Sequence, residues 1–407
     1  MRKRQRAGSG RALRLALRLV FALGSSGASV AAEDLVTSLP HTLYRGPPSG
    51  IAVTFGVDWG RTRRAAELPV PASAAVLWKR QIPGGVSCNV LIDAAGRIFV
   101  AGLGRVTQLD RHGTREYSQR ADFSSAAAAA LLADGTRVVL TRERRLMSWS
   151  RRGAPGVDIE LGAPSRFASS TLLPLPDGSL LVSIGPWLLN SSGGKVQDHV
   201  ELKDPVEHTL VVGRRVIAID DKGNVFEWSG RSTPRARGSF GGRLTAAAVS
   251  SPEALLGVVS NRAVVELSLT TGNLRELARF PAPGLLSVLA VPADERAITM
   301  QTDGTLVALG ATLIAYPRQS APESPTDVQL LASPDGSVAW MASNASLRLQ
   351  GIELDARELP DVRCAQLASL VPAGPSKLAV ACSSGQVWLI GRSERSREDA
   401  DESAPPH

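Results

Sequence analysis

One turn recurs at an almost constant interval along most of the chain, and this recurrence constrains the fold more than any other feature of the sequence. A turn carrying Gly, Asp or Pro is followed by a short apolar run, a second turn and another apolar run. The first unit reads Leu91-Ile92-Asp93-Ala94-Ala95-Gly96, then Arg97-Ile98-Phe99-Val100-Ala101, then Gly102-Leu103-Gly104 and Arg105-Val106-Thr107-Gln108-Leu109-Asp110. Asp134-Gly135, Asp177-Gly178 and Asp335-Gly336 open others, and weaker first turns fall at Gly213, Glu253, Glu295 and Gly374. Along the markers Gly96, Gly135, Gly178, Gly213, Glu253, Glu295, Gly336 and Gly374 the intervals are 39, 43, 35, 40, 42, 41 and 38 residues.

Each interval holds about four short apolar runs bounded by turn residues. Runs such as Asn224-Val225-Phe226-Glu227-Trp228 and Gln386-Val387-Trp388-Leu389-Ile390 have the β-branched and aromatic character of strands, and their near-continuous apolarity suits sheets covered on both faces. A forty-residue period of four strands is the signature of a β-propeller, whose radial sheets cover one another. The expected fold is all-β, an eight-bladed β-propeller. Seven blades is the alternative, because the fourth unit is short and its turn lacks an Asp-Gly pair. The alanine run Ala126–Ala130 has the highest helix propensity in the chain, but it stands where other units place an inner strand and is read as one.

After Ile390 the chain turns polar and charged, so the last unit lacks an outer strand. Residues 75–82 have strand character and no unit of their own, and docking this N-terminal strand on the last blade would leave no unpaired edge there. The expected organisation is a signal peptide over 1–32, a leader segment over 33–74, the propeller over 75–391 and a disordered tail over 392–407.

The formal charge of +8 invites a nucleic-acid partner, but its location argues against one. Seven cationic residues precede the first acid, Glu33, and removal of residues 1–32 takes +8 to +1. That segment has a basic start, an apolar stretch over 13–23 and small residues up to Ala32, with Val30 and Ala32 where a signal peptidase reads. Export to the periplasm or the exterior is therefore expected, an arginine-rich transit peptide being the alternative. No run of eighteen apolar residues is present for a transmembrane helix.

Val76-Leu77-Trp78-Lys79-Arg80, Asp93-Ala94-Ala95-Gly96-Arg97-Ile98-Phe99-Val100 and Val106-Thr107-Gln108-Leu109-Asp110-Arg111-His112-Gly113 resemble repeats of the pyrroloquinoline-quinone-like (quinoprotein-like) propeller superfamily. Leu269-Thr270-Thr271-Gly272 echoes that family's Asp-x-x-Thr-Gly step, without the acid. The quinone dehydrogenases of the family imply calcium-ligating acids, a tryptophan under the cofactor and adjacent cysteines. Here Cys88, Cys364 and Cys382 are far apart and no acidic cluster stands out, so the non-catalytic branch is the one implied, with no cofactor, no metal and no catalytic residues assigned. There is no Gly-x-Ser-x-Gly elbow, and His41, His112, His199, His208 and His407 lack zinc-ligand spacing. His199 and His208 read as residues of a polar connecting stretch. Trp149, Trp228 and Trp388 fall late in their units and read as packing between blades.

The function expected is a non-enzymatic envelope or exterior propeller, a monomer that serves as a protein-interaction scaffold, as the assembly-scaffold members of the superfamily imply. The alternative is a propeller enzyme or carbohydrate-binding module with a site built from loops of several blades. One covalent feature is expected. Cys364 and Cys382 lie nine residues either side of Ala373, which predicts that they face each other across a hairpin and form a disulfide, with Cys88 unpaired; pairing of Cys88 with Cys364 and three free thiols are the alternatives.

Overall fold

The computed structural model describes residues 50–52, 54, 61, 68–69, 73–162, 170–175, 177–213, 215–229, 233–280, 290–291, 297–301, 305–309, 313–316, 328–333, 338–343, 347–351, 357–359 and 361–392. The expected signal peptide over 1–32, most of the expected leader and the tail beyond Arg392 lie outside them. The described residues contain no α-helix, and their strands pair antiparallel into eight sheets taken in chain order. Six sheets have four strands, the first has five, and the sixth shows three among the described residues.

The repeat unit of the sequence maps directly onto this architecture. In the first sheet the marker turn joins the strand Leu91–Asp93 to Ile98–Ala101, followed by Arg105–Leu109 and the exposed outer strand Arg115–Arg120, and the short strand Gly50–Ala52 lies on the inner side of Leu91–Asp93. Aspartates at strand ends make the turns. Asp93 Oδ1 accepts the backbone N–H of Ala95 and of Arg97, and Asp220 Oδ1 accepts those of Lys222 and Asn224. An acceptor two and four residues upstream satisfies donors that a tight turn leaves unpaired, which is why Asp recurs there. The alanine run is the inner strand Ala126–Leu131, and its small side chains let the neighbouring inner strands Leu91–Asp93 and Ser170–Pro174 approach on either side.

The core lies between sheets. Each of eight clusters of buried side chains draws on two sheets, and one joins the last sheet to the first through Val371, Ala379 and Val387 on one side and Ile92, Ile98 and Leu109 on the other. Middle strands such as Leu180–Ile184 are buried throughout, whereas the outer strand Pro155–Glu160 alternates exposed and half-buried positions. The three late tryptophans sit in these seams. Trp149 and Phe99 of adjacent sheets lie 6.3 Å apart, Trp228 packs with Leu173 and Leu188, and Trp388 with Leu331.

The strand Ala74–Gln81 pairs with Gln386–Arg392 and is the outer strand of the eighth sheet, whose other strands are Lys377–Cys382 and Leu367–Gly374. It also grips the first sheet. Trp78 lies over Gly113, where an added Cβ would meet the ring at 2.8 Å; its Nε1 donates to Arg111 O at 3.2 Å, and Arg80 Nε donates to Gly113 O at 2.8 Å. Tyr117, on the outer strand of the first sheet, stands in the same relation to Gly153 of the second, 2.8 Å from an added Cβ. A glycine here needs both a left-handed φ, +86° at Gly153, and room for the neighbour's ring. Gly178 has the same φ class, +83°, with nothing within 4 Å. Gly178→Ala is therefore expected to cost about 1 kcal/mol from backbone strain alone, and Gly153→Ala about 2 kcal/mol or more because Tyr117 must also move. Equal losses in denaturant unfolding would show that the ring contact is unimportant.

Two expectations need correction. His199 lies in the outer strand Lys195–Glu201 and His208 in the inner strand Val206–Val212, so neither belongs to a connecting stretch. The cysteines do not face each other by register: the hairpin turns at Pro375-Ser376, two β-bulges shift its ladder, and Cys382 stands opposite Leu367. Cys364 lies three residues before that position, outside the strand. In the structure the two sulfurs are nonetheless bonded, with Cα atoms 5.3 Å apart, and Cys88 is a separate buried thiol.

Candidate functional site

Outside the first sheet, where Gly50–Ala52 pairs with Leu91–Asp93, the inner strands end the hydrogen-bonding ladder, so their free edges carry backbone donors and acceptors that burial leaves without water. Side chains of the adjacent sheet supply partners. Asn89 Nδ2 donates to Ala129 O at 3.0 Å, while Ala129 N donates to Asn89 Oδ1 at 3.1 Å. Gln329 does the same to the eighth sheet, donating to Ala368 O at 3.1 Å and accepting from Leu370 N at 2.7 Å. Ser369 Oγ accepts from Val90 N at 3.2 Å, joining the eighth sheet to the first. Thr171 meets Thr209 at 2.8 Å and Ser183 at 2.7 Å. Asn89, Thr171 and His208 each lie four residues before the residue that closes the first turn of their sheet, Asp93, Leu175 and Val212. One position of the repeat thus carries the inter-sheet clasp.

Beside this belt, where the inner strands begin, lies a cavity of about 550 Å³ reached by residues of the first five sheets and the eighth. Its polar lining includes Asn89, Thr171, Glu207, His208, Thr245 and Gln366, together with Arg61 of the leader. Arg61 Nη1 is 3.3 Å from His208 Nδ1, and His208 Nε2 is 3.3 Å from Leu244 O. A carbonyl only accepts, so Nε2 carries the proton, and the guanidinium donates to the lone pair on Nδ1. The ring is therefore neutral. Burial, with the Arg61 charge as the second cause, pushes its pKa from the ordinary value down to about 3. Glu207 is tied to Arg243 at 2.5 Å, with Arg243 raised by that hydrogen bond. Cys88 also faces the cavity, and burial pushes its thiol up to about 12, which keeps it protonated and poorly nucleophilic.

An unfolded histidine titrates near 6.5, so as pH falls below that value the unfolded chain takes a proton that folded His208 refuses. The contribution of this residue to stability is complete above about 6.5 and is lost progressively toward about 3. His208→Gln is expected to flatten the fall in unfolding free energy between pH 6.5 and 4 relative to the native chain. Parallel profiles for the two proteins would rule out a buried neutral imidazole.

The site is thus polar, with its histidine and acid already engaged. Among the described residues no group of three or more His, Cys, Asp or Glu side chains is placed to hold a metal ion. The paired cysteines lie apart from the cavity wall itself, although Gln366, Leu367 and Ser383 beside them line it. His208 escaped sequence reasoning, yet its signal was present: Asn89, Ala128, Thr171, His208 and Ala246 follow the repeat at intervals of 39, 43, 37 and 38, and all reach the cavity.

No protein-family model and no curated protein sequence matches the chain. Solved structures do. BamB from Moraxella catarrhalis matches at a TM-score of 0.58 and 14% identity, covering 78% of this chain and 99% of BamB. The computationally designed Ika8 protein matches at 0.60 and 13% identity, covering 77% and 98%, and the Neurospora crassa Pan2 WD40 domain at 0.50 and 11% identity, covering 80% and 97%. At these identities what is shared is the fold: the chain is similar in architecture to β-propeller proteins.

Proposed function

We propose that this chain is an exported, non-enzymatic β-propeller of the cell envelope or exterior that binds another protein, a member of the non-catalytic branch of the pyrroloquinoline-quinone-like superfamily. In this proposal residues 1–32 are the signal peptide, 33–74 the leader, and the eight sheets are blades of one ring closed by Ala74–Gln81. Closure is supported by the repeated contact, Trp78 on Gly113 as Tyr117 on Gly153. The protein-binding role is carried by one observation: around the axis Asn89, Thr171, His208 and Gln329 are engaged in holding inner strands, which leaves the exposed turns and outer strands as the surface open to a partner. The test is site-specific photocrosslinking in intact cells from exposed turn positions His112 and Arg152, with N-terminal sequencing of the same material. The expected result is one crosslinked protein at defined turns and a mature chain beginning near Glu33. An intact Met1 in the cytosol refutes export, and absence of any crosslink from every rim refutes the binding role.

The cavity gives the alternative its specific support, since about 550 Å³ lies in the range of small-ligand pockets. A saccharide that raises the melting temperature of the native chain, and loses that effect with Glu207→Gln, would favour a carbohydrate-binding module.

A further inference from the structure

The leader has an unexpected place. Gly50–Ala52 is a strand on the inner edge of the first sheet, with Gly50 opposite Asp93 and Ala52 opposite Ile92. Ala52 is fully buried and packs in the cluster shared by the first and eighth sheets. Two residues on, the buried Thr54 donates its hydroxyl to Leu172 O of the third sheet at 2.8 Å. Arg61, also buried, meets His208 of the fourth sheet.

These anchors fall at successive depths. Gly50 is level with Asp93, the residue that closes the first turn; Leu172 lies three residues before the corresponding Leu175; His208 lies four before Val212, at the cavity. The leader thus runs antiparallel to the inner strands, from the end where they turn to the end where they begin. The chain then passes to the outermost edge of the eighth sheet, where Ala74 begins its strand.

We propose that the inner edge of Leu91–Asp93 and the cavity beside His208 form one peptide-binding channel, and that Gly50–Ala52, Thr54 and Arg61 occupy it as anchors of a plug supplied by the chain itself. The ligand class is an extended polypeptide that adds as a strand to the first sheet. It presents a small residue where Ala52 is buried, a hydroxyl two positions later and a cation nine positions later. Strand addition gives such a site affinity through backbone hydrogen bonds, and the anchor side chains give it selectivity. The plug is covalently attached, so its effective concentration excludes an external peptide until it is released.

The test uses the full chain with a protease recognition sequence in place of residues 63–67, which severs the plug from the propeller without removing it. After cleavage the N-terminal fragment is expected to remain with the propeller on gel filtration. A labelled synthetic peptide of residues 47–62 should exchange into the cut protein saturably and fail to bind uncut protein. The same peptide carrying Thr54→Val and Arg61→Ala should bind about tenfold more weakly or worse, as loss of two hydrogen bonds implies. Three results overturn the proposal: the fragment leaves on cutting while the melting transition is unchanged, the peptide binds cut and uncut protein alike, or cutting unfolds the protein, which would make the segment core and not guest.

Discussion

Asp93→Ala is expected to destabilise the protein by about 3–5 kcal/mol, because it strips a buried guanidinium of its counter-charge. Asp93 Oδ2 receives Arg97 at 2.6 Å and Arg137 at 3.0 Å, while Oδ1 organises the marker turn. The two arginines are not equivalent. Arg97 reaches solvent, whereas Arg137 is 1% exposed in the second sheet, where burial already pulls its pKa below the ordinary guanidinium range. Without the carboxylate Arg137 still donates to Gly135 O at 2.7 Å, a partner that carries no charge to balance its own. The asymmetry gives the test its force. Arg137→Leu leaves Asp93 paired with Arg97 and its turn donors, so it should cost about 1 kcal/mol, and Asp93→Ala combined with Arg137→Leu should recover much of the loss of Asp93→Ala alone. Urea unfolding of the three variants measures the cycle. Additive losses would show that the two residues do not share the burial of one charge.

The same aspartate shows why so much of the fold was legible. Asp93, Asp134 and Asp177 each accept backbone donors of the same turn in successive sheets, at intervals of 41 and 43 residues, so that turn residue recurs at the period of the sheets, and Asp110 and Asp220 do the same at later turns of their sheets. The strand Ala74–Gln81 was visible because the apolar residues 74–78 precede the first unit and have no unit of their own. What escaped lacks such periodicity. Gly50–Ala52 is three residues long and becomes a strand only because the edge of Leu91–Asp93 is there to pair with it. His208 sits in Val206–Val212 among residues whose polarity suggested a connection, since the inner strands face a polar cavity as well as a core. The cysteine pairing was argued from a hairpin centred on Ala373, but the turn lies at Pro375-Ser376, and the bulges at Leu367/Ser369 and Pro372/Gly374 recover only part of that offset, leaving Cys382 opposite Leu367. Sequence separation counts residues, while register counts only those that remain in the ladder.

The bridge itself therefore needs its own test. Cys364 and Cys382 are buried and 18 residues apart in sequence; Cys382 lies in the sheet that holds both Ala74–Gln81 and Gln386–Arg392, and Cys364 lies just ahead of its strand Leu367–Gly374. A cross-link closing a loop of this length removes conformational freedom from the unfolded chain worth about 3 kcal/mol in the chain-entropy model. It acts where opening would otherwise be easiest, since Leu367–Gly374 and Lys377–Cys382 must hold together for Gln386–Arg392 to receive Ala74–Gln81. Cys364→Ala with Cys382→Ala is expected to lose about 3 kcal/mol, and dithiothreitol should lower the melting temperature of the native chain by a similar margin while leaving the double variant unaffected. Cys88 supplies the internal control. Its thiol is buried and pushed up to about 12, so iodoacetamide should label it only after denaturation. Non-reducing peptide mapping of the native protein should yield one linked peptide pair, Cys364 to Cys382, and one labelled Cys88. Three labelled thiols, or a Cys88–Cys364 pair, would refute the bridge, and an unchanged melting temperature in dithiothreitol would refute its role in holding the eighth sheet.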